Sequence, residues 1–382
     1  MSTYQLKPEC IPLLLKLANP ISRQALLAGV AQDTGGDSRR LSEIFDAIEA
    51  AGLLKQGTGS SQSSSYQFGY GQGVVNHRAM LQDHARTDGF RRALNEVVRP
   101  DDVVIDVGTG SGILGFFAAV AGAKRVILID NTAVIDDARQ LAKDNGLDDR
   151  VEFFRGDART FGMYGKADVI VSEWIGFFLM EEYMYGAFAS VRDRCLAEGG
   201  SVVPSRARLY LAPVEDSRLY FSGGFGFWEA PVYGFDFGLG KTRMLKRLKR
   251  VLVKVEQESI IAAPWEVMSL DCLRDRMDAF HFQRSGEFIV DRAGSFHGFA
   301  GWFELDLAPH VLLSTSPFAK QTHWQQVYFA TPQFGVEKGD RIQTTVTTTP
   351  GGVGPDITIH ATVVRGERPI HSFEHLYHGR QF

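Results

Sequence analysis

Two glutamates, Glu173 and Glu182, bracket the stretch Ser172-Glu173-Trp174-Ile175-Gly176-Phe177-Phe178-Leu179-Met180-Glu181-Glu182, which is otherwise mostly apolar and aromatic. A lone carboxylate in such surroundings protonates, and two repel each other, unless a cation with a matching fork of donors lies between them. Guanidinium fits that description, being planar and charged at any physiological pH. Carboxylates fixed along one edge would concentrate its charge on the nitrogens they bond, leaving the remaining terminal nitrogen as the nucleophile. Taken alone, the stretch also reads as a loop with two solvated acids.

A second chemical signal lies upstream. The strand-like run Val103-Val104-Ile105-Asp106-Val107 leads into Gly108-Thr109-Gly110-Ser111-Gly112 and then a helical stretch from Ile113 to Ala121. Glycines at a strand-to-helix turn let a nucleotide-like ligand approach the backbone and the helix N-terminus. Gly110, Gly112 and Gly115 satisfy the dinucleotide pattern, and Asp130 stands 20 residues after Gly110, where an NAD-binding acid would sit. Asp106 argues against a pyrophosphate, which it would repel, and in favour of a cationic ligand. S-adenosylmethionine carries a sulfonium and an ammonium without phosphate, and its ribose diol still calls for an acid at Asp130. Asp157, in Arg155-Gly156-Asp157-Ala158, is a candidate acceptor for the adenine amino group, a plain loop acid being the alternative.

These residues need a scaffold. Between 102 and 203, short β-rich runs (Val103–Val107, Val126–Ile129, Val151–Phe154, Val169–Val171) alternate with helical ones, the pattern of a parallel α/β sheet. After Pro204, runs such as Ala207–Leu211, Phe288–Val290, His310–Ser314, Gln326–Phe329, Thr344–Thr348 and Ile357–Val364 predict an antiparallel β domain. An aromatic, Gly-rich insert spans Tyr220 to Gly240, followed by a basic amphipathic run, Lys241 to Arg250. The run fits a solvated helix face, with attraction to an acidic partner as the alternative. The first sixty residues show helical spacing in three pieces broken at Asn19-Pro20 and Gly35-Gly36-Asp37-Ser38, similar to a winged-helix module. Its third helix carries Glu43, Asp46 and Glu49, which argues against phosphate contact and hence against DNA binding. A Gly/Ser/Gln-rich linker from Gln56 to Ser65 follows. The expected organisation is a helical module over 1–60, an α/β cofactor domain over 61–203, and a β domain over 204–382 with its insert at about 220–245.

Composition agrees with a folded chain of this kind: 382 residues suit two or three domains, and 44% apolar with 23% charged residues excludes wholesale disorder or a coiled-coil rod. A net charge of −4 gives no global attraction to nucleic acid or an anionic membrane. Cys10, Cys195 and Cys272 are too few and scattered for a disulfide framework or a Cys-based metal site, which leads us to expect no metal and a reducing, cytoplasmic setting. No apolar run reaches the length needed to span a bilayer.

The motifs together resemble the protein arginine methyltransferase family over about residues 66 to 350. Val103 to Gly112 is similar to its cofactor motif, and Ser172 to Glu182 to its double-glutamate loop. His77-Arg78-Ala79-Met80-Leu81-Gln82-Asp83-His84-Ala85-Arg86-Thr87 resembles its cofactor-covering helix, and Thr322-His323-Trp324 its Thr-His-Trp loop. The resemblance implies a class I methyltransferase, Rossmann-like sheet followed by a β-barrel-like domain. It also implies that Glu173 and Glu182 clamp the substrate guanidinium, that Arg86 binds the cofactor carboxylate, and that Asp83 and His323 pair across the active site. Trp324 would line the arginine pocket, His77 and Met80 would cover the cofactor, and Met80 and Met184 fall where members making asymmetric dimethylarginine shape the methyl-acceptor pocket. Tyr66 and Tyr70 keep the spacing of the family's helix tyrosines, but the gap from Tyr70 to His77 is one residue longer and Gly-rich, and Asp130 replaces the more usual glutamate.

The insert, with Phe225, Phe227, Trp228, Tyr233 and Phe235, resembles the family's dimerisation arm, implying a homodimer. The expected activity is methylation of arginine in a protein or peptide. Alternatives are methylation of free arginine or another small guanidino compound, and a winged-helix regulator whose methyltransferase-like domain senses cofactor.

Overall fold

The computed structural model describes residues 73–181, 183–245, 248–249, 251–351 and 354–378, all within one compact unit, Ser65–Phe382. The helical module expected over 1–60, the linker, Cys10, Tyr66, Tyr70 and Glu182 lie outside the described residues.

Five parallel strands, β1 (Val103–Val107), β2 (Arg125–Asp130), β3 (Val151–Arg155), β4 (Ala167–Val171) and β5 (Leu196–Val203), form one sheet in the order β3-β2-β1-β4-β5. Their β-branched runs are buried because helices cover the sheet's faces. After a short α1 (Arg78–Gln82), which buries no residue, those helices are α2 (His84–Val97), α3 (Ile113–Ala121), α4 (Val134–Asp144) and α5 (Tyr185–Cys195). Strand order reverses between β1 and β4, so the crevice beyond their C-terminal ends is where such a sheet takes its ligand. The glycine turn follows β1 and the carboxylate loop follows β4, which puts both motifs at that crevice. A short 3-10 turn, Val74–His77, precedes α1 and is fastened to α4 by Val74 N–H donating to Asp137 Oδ2 at 2.8 Å.

After Val203 the chain turns antiparallel. In order come β6 (Arg206–Val214), α6 (Ser217–Gly223), α7 (Leu239–Leu245), β7 (Leu248–Lys249), β8 (Val251–Val253), β9 (Trp265–Asp271), β10 (Gln283–Ile289) and β11 (Gly294–Ala308). They are followed by β12 (Val311–Ser314), β13 (Gln326–Val336), β14 (Arg341–Thr349), β15 (Asp356–Arg365) and β16 (Arg368–His378). One sheet runs β8-β13-β11-β6-β9 with β12 paired to β11; the other runs β10-β14-β15-β16-β7, in which only the short β7 is parallel to its neighbour. One continuous hydrophobic core extends through both halves.

The longest strand, β11, is not among the runs that composition singles out. Gly294, Gly298 and Gly301 punctuate it, and in sequence they read as breakers. Gly301 is there for close approach: a Cβ on it would sit 2.3 Å from Cε2 of Phe178, a residue of the carboxylate loop.

Not all of the insert's aromatics face outward: Phe225 is completely buried in the core and anchors the insert, while Trp228 is half-buried against Phe227 and Gly240 of the insert itself. Tyr220 lies fully buried beside them and stacks on His297 at 4.7 Å between ring centroids. Phe227, Tyr233, Phe235 and Phe237 remain exposed, Tyr233 at 98%.

Candidate active site

The glycine turn is shaped by its own neighbours. Gly108, Gly110 and Gly112 take φ of 72°, 54° and 86°, left-handed values that β-carbon-bearing residues resist. A Cβ on Gly110 would lie 2.6 Å from His77 Nε2, and one on Gly108 would lie 2.5 Å from Met184 Cε, so His77 and Met184 close over the turn. Asp106 Oδ2 accepts from Thr109 Oγ1 at 2.5 Å and from Gly115 N–H at 2.9 Å. Its other oxygen, Oδ1, is buried without a partner. Burial pushes the Asp106 carboxyl up to about 6 despite those two bonds. Asp130 Oδ2 accepts from Gly110 N–H at 3.0 Å, and Oδ1 from the backbone and hydroxyl of Thr132 at 2.8 and 2.7 Å.

A cleft lined by His77, Met80, Arg86, Gly108, Gly110 and Glu173, among others, opens over this turn. Arg86 Nε and Nη2 both donate to Glu173 Oε2, at 3.2 and 2.8 Å, while Nη1 is buried with no partner. Both side chains are more than nine-tenths buried, so the pair is shielded from solvent screening. Glu173 Oε1 accepts from Ile175 N–H at 3.0 Å. Burial depresses His77 below the usual imidazole value, favouring its neutral form.

Residues distant in sequence complete the far wall. Asp83 caps α2 by accepting from Arg86 N–H at 3.0 Å, and its Oδ2 accepts from His323 N–H and Nδ1, both at 2.8 Å. Burial alone would raise Asp83, but the His323 and Arg86 bonds outweigh it and hold the carboxyl below its ordinary range. The two contacts to one carboxylate fix the orientation of the His323 ring. Trp324 packs against the His323 ring at 4.2 Å and donates Nε1–H to Ile175 O at 3.1 Å, tying the Thr-His-Trp loop to the carboxylate loop. Asp157 stands apart: its carboxylate is partly exposed and held by Arg159 at 2.6 Å.

The structure thus brings His77, Met80, Asp83, Arg86, Asp106, the three glycines, Asp130, Glu173, Met184, His323 and Trp324 to one end of the parallel sheet. Sequence reasoning did not find Thr109, Phe178 and Tyr183. Three of the five non-glycine residues with positive φ among the described residues, Leu179, Tyr183 and Gln325, belong to the two loops that meet here. Backbone strain of this kind collects where geometry is over-determined by function.

The paired requirement of a cationic, carboxylate-bearing ligand is met by groups already in place. Arg86 Nη1 is an unused donor, Asp106 an acid beside the turn, and the glycine turn has no room for side chains. S-adenosylmethionine matches that donor set.

Known proteins carry the same parts. Residues 205–356 match the arginine methyltransferase oligomerization subdomain, and residues 82–184 match the ribosomal protein L11 methyltransferase family. Protein arginine N-methyltransferase 1 of Schizosaccharomyces pombe is 36% identical over 281 residues, covering 72% of this chain and 82% of that protein. Among solved structures, the Trypanosoma brucei PRMT1 enzyme-prozyme heterotetrameric complex with AdoHcy aligns with a TM-score of 0.74 at 26% identity, over 81% of this chain and 99% of that one. Arabidopsis thaliana protein arginine methyltransferase 10, in an open conformation, aligns with a TM-score of 0.71 at 29% identity, over 80% of this chain and 98% of that one.

Proposed function

The chain belongs to the protein arginine N-methyltransferase family, and on that premise we propose that it transfers methyl groups from S-adenosylmethionine to the guanidino group of arginine in proteins or peptides. One observation carries the reading: a buried glutamate, Glu173, stands on the lip of the glycine-turn cleft and is already bonded to a guanidinium, that of Arg86. The carboxylate chemistry of the pocket therefore suits the group to be modified.

The cofactor supplies an electrophilic methyl group on a sulfonium. Arg86 Nη1 is the donor we assign to its carboxylate, Asp106 the charge facing its cationic end, and Asp130 the acceptor for its ribose diol. Asp157 is assigned to the adenine amino group, sharing its carboxylate with Arg159. His77 and Met80 form the cover, and Met184 limits the space beside Gly108. Glu173 and Glu182 clamp the substrate guanidinium along one edge, and Trp324, Met184 and Tyr70 are assigned to substrate binding. The proton released from the methylated nitrogen passes to a clamping glutamate or to His323 Nε2, whose ring Asp83 orients through Nδ1.

Replacing Glu182 with Gln is expected to leave cofactor affinity nearly intact by calorimetry while lowering methyl transfer by roughly a thousandfold or more. Unchanged turnover would remove the assignment. Intact-mass analysis with an arginine-bearing peptide and with free arginine distinguishes the two substrates; the relatives' names favour the peptide, and they favour neither the free-arginine reading nor a regulator.

We further assign a homodimer built through the insert, whose exposed Phe227, Tyr233, Phe235 and Phe237 are costly to leave in water. The matched oligomerization subdomain supports it. Tyr233→Glu with Phe235→Glu is expected to halve the mass seen by sedimentation, and a wild-type monomer at micromolar concentration would refute the dimer. The cofactor part is assigned to 61–203 and the β part to 204–382, a division supported by the end of β5 at Val203. No described helix is long and apolar enough to cross a membrane, and the free, buried thiols of Cys195 and Cys272 suit the reducing cytoplasm.

A further inference from the structure

The chain on either side of position 182 is gripped from the far half of the molecule. Tyr183 donates its hydroxyl to Gly351 O at 3.0 Å and accepts from Gly351 N–H at 3.1 Å, so one phenol satisfies both backbone groups of a residue in the β14–β15 turn. Glu181, on the other side, is wedged between two glycines. A Cβ on Gly176 would meet the Glu181 Cβ at 2.5 Å, and one on Gly354 would meet its Cγ at 2.7 Å and its Cα at 3.0 Å. Gly176 belongs to the carboxylate loop and Gly354 to the β14–β15 turn, so the two segments touch with no space for a side chain. Glu181 Oε2 also accepts from Phe178 N–H, closing the loop on itself.

Within this grip Leu179 and Tyr183 hold φ of 63° and 53°. Non-glycine residues stay in that region only when their surroundings leave no alternative. The grip supplies those surroundings. The residues lining the cofactor cleft, by contrast, run from His77 to Glu173 and include none from the β14–β15 turn.

We propose that Tyr183 is a positioning residue: by clasping Gly351 it lets the β14–β15 turn set the geometry of the arginine-binding carboxylate loop, and so the rate of the methyl-transfer step rather than the affinity for cofactor. This rests on the arginine-methyltransferase reading above. It makes a turn nearly 170 residues downstream part of the catalytic geometry.

Two variants test it. Tyr183→Phe deletes only the hydroxyl, and Gly354→Ala pushes a methyl group into Glu181. Each is expected to lower kcat roughly tenfold on an arginine peptide, with peptide KM and cofactor Kd moving less than about threefold. Amide hydrogen exchange over 176–184 should quicken in both, while exchange in β1 and α2 stays at the wild-type rate. A Tyr183→Phe enzyme with wild-type kcat overturns the proposal, as does a loss of cofactor affinity in step with kcat. If wild-type protein methylates no arginine peptide, the proposed function falls; exchange then decides the positioning role alone, and unchanged rates over 176–184 in both variants overturn it.

Discussion

The glycine turn after β1 and the carboxylate loop after β4 face the same cleft, yet they are secured over very different spans of chain. Asp106, Thr109, Gly115 and Asp130 hold the turn, none of them farther than 20 residues from Gly110. The loop is held by Trp324, by Phe178 over Gly301, and by Tyr183 on Gly351, partners separated from it by 149 residues for Trp324 and 168 for Gly351. A nucleotide cradle can be built from one βαβ unit because its requirements are backbone shape and one or two acids. A guanidinium clamp needs carboxylates fixed in a low-dielectric setting, and only packing against a second layer excludes the water.

That contrast can be broken from either side. The largest effect is expected from Gly110→Ala, which puts a Cβ at φ 54° and 2.6 Å from His77 Nε2. Cofactor affinity by calorimetry should fall by roughly a hundredfold, since a strained turn costs about 1–3 kcal/mol before any steric loss. Wild-type affinity in that variant would show that the turn is not the cradle.

Gly301→Ala strikes the other side, with a Cβ 2.3 Å from the Phe178 ring. Here kcat should drop about tenfold while cofactor Kd changes less than about threefold. Equal losses in both would mean that the two walls are not separately held.

The smallest effect is a pH dependence. Asp106 titrates near 6 in the folded protein, so its carboxylate, the form that attracts a cation, prevails above that pH. Cofactor affinity should rise as pH increases to about 6 and level off beyond, by less than about tenfold between roughly pH 5 and 6. Asp106→Asn should flatten the profile. In the cofactor-free protein the sign for folding is the reverse: the raised value means the fold favours the protonated acid, so this group's contribution is fully present below its ordinary value of 3.8 and lost as pH climbs through about 6.

The same difference in span explains what could be read from the sequence. The parallel strands, the turn and the acids Asp106 and Asp130 sit in a short repeating pattern whose period reports its own geometry. Glu173, His323 and Trp324 were recognisable from their motifs, but the bond from Trp324 to Ile175 was not, because nothing local encodes a contact over that distance. Gly301 reads as a strand breaker until Phe178 is seen on top of it. Phe225 reads as one more surface aromatic of the insert, and only the stack of Tyr220 on His297 reveals that this end of the insert is core. Arg86 stood out by its place in the motif that starts at His77, whereas its two bonds to Glu173, 87 residues away, leave no local trace.

The placement of the clamp's fastenings also bears on how the protein is made. A growing chain that had reached Val203 would already possess the whole five-stranded sheet and every residue lining the cleft. It would lack Gly301, His323, Trp324 and Gly351, all still to be translated. Such a fragment has the glycine turn and the Arg86–Glu173 pair but lacks the downstream partners of Ile175, Phe178 and Tyr183, so the carboxylate loop is fully fastened only in the last third of synthesis.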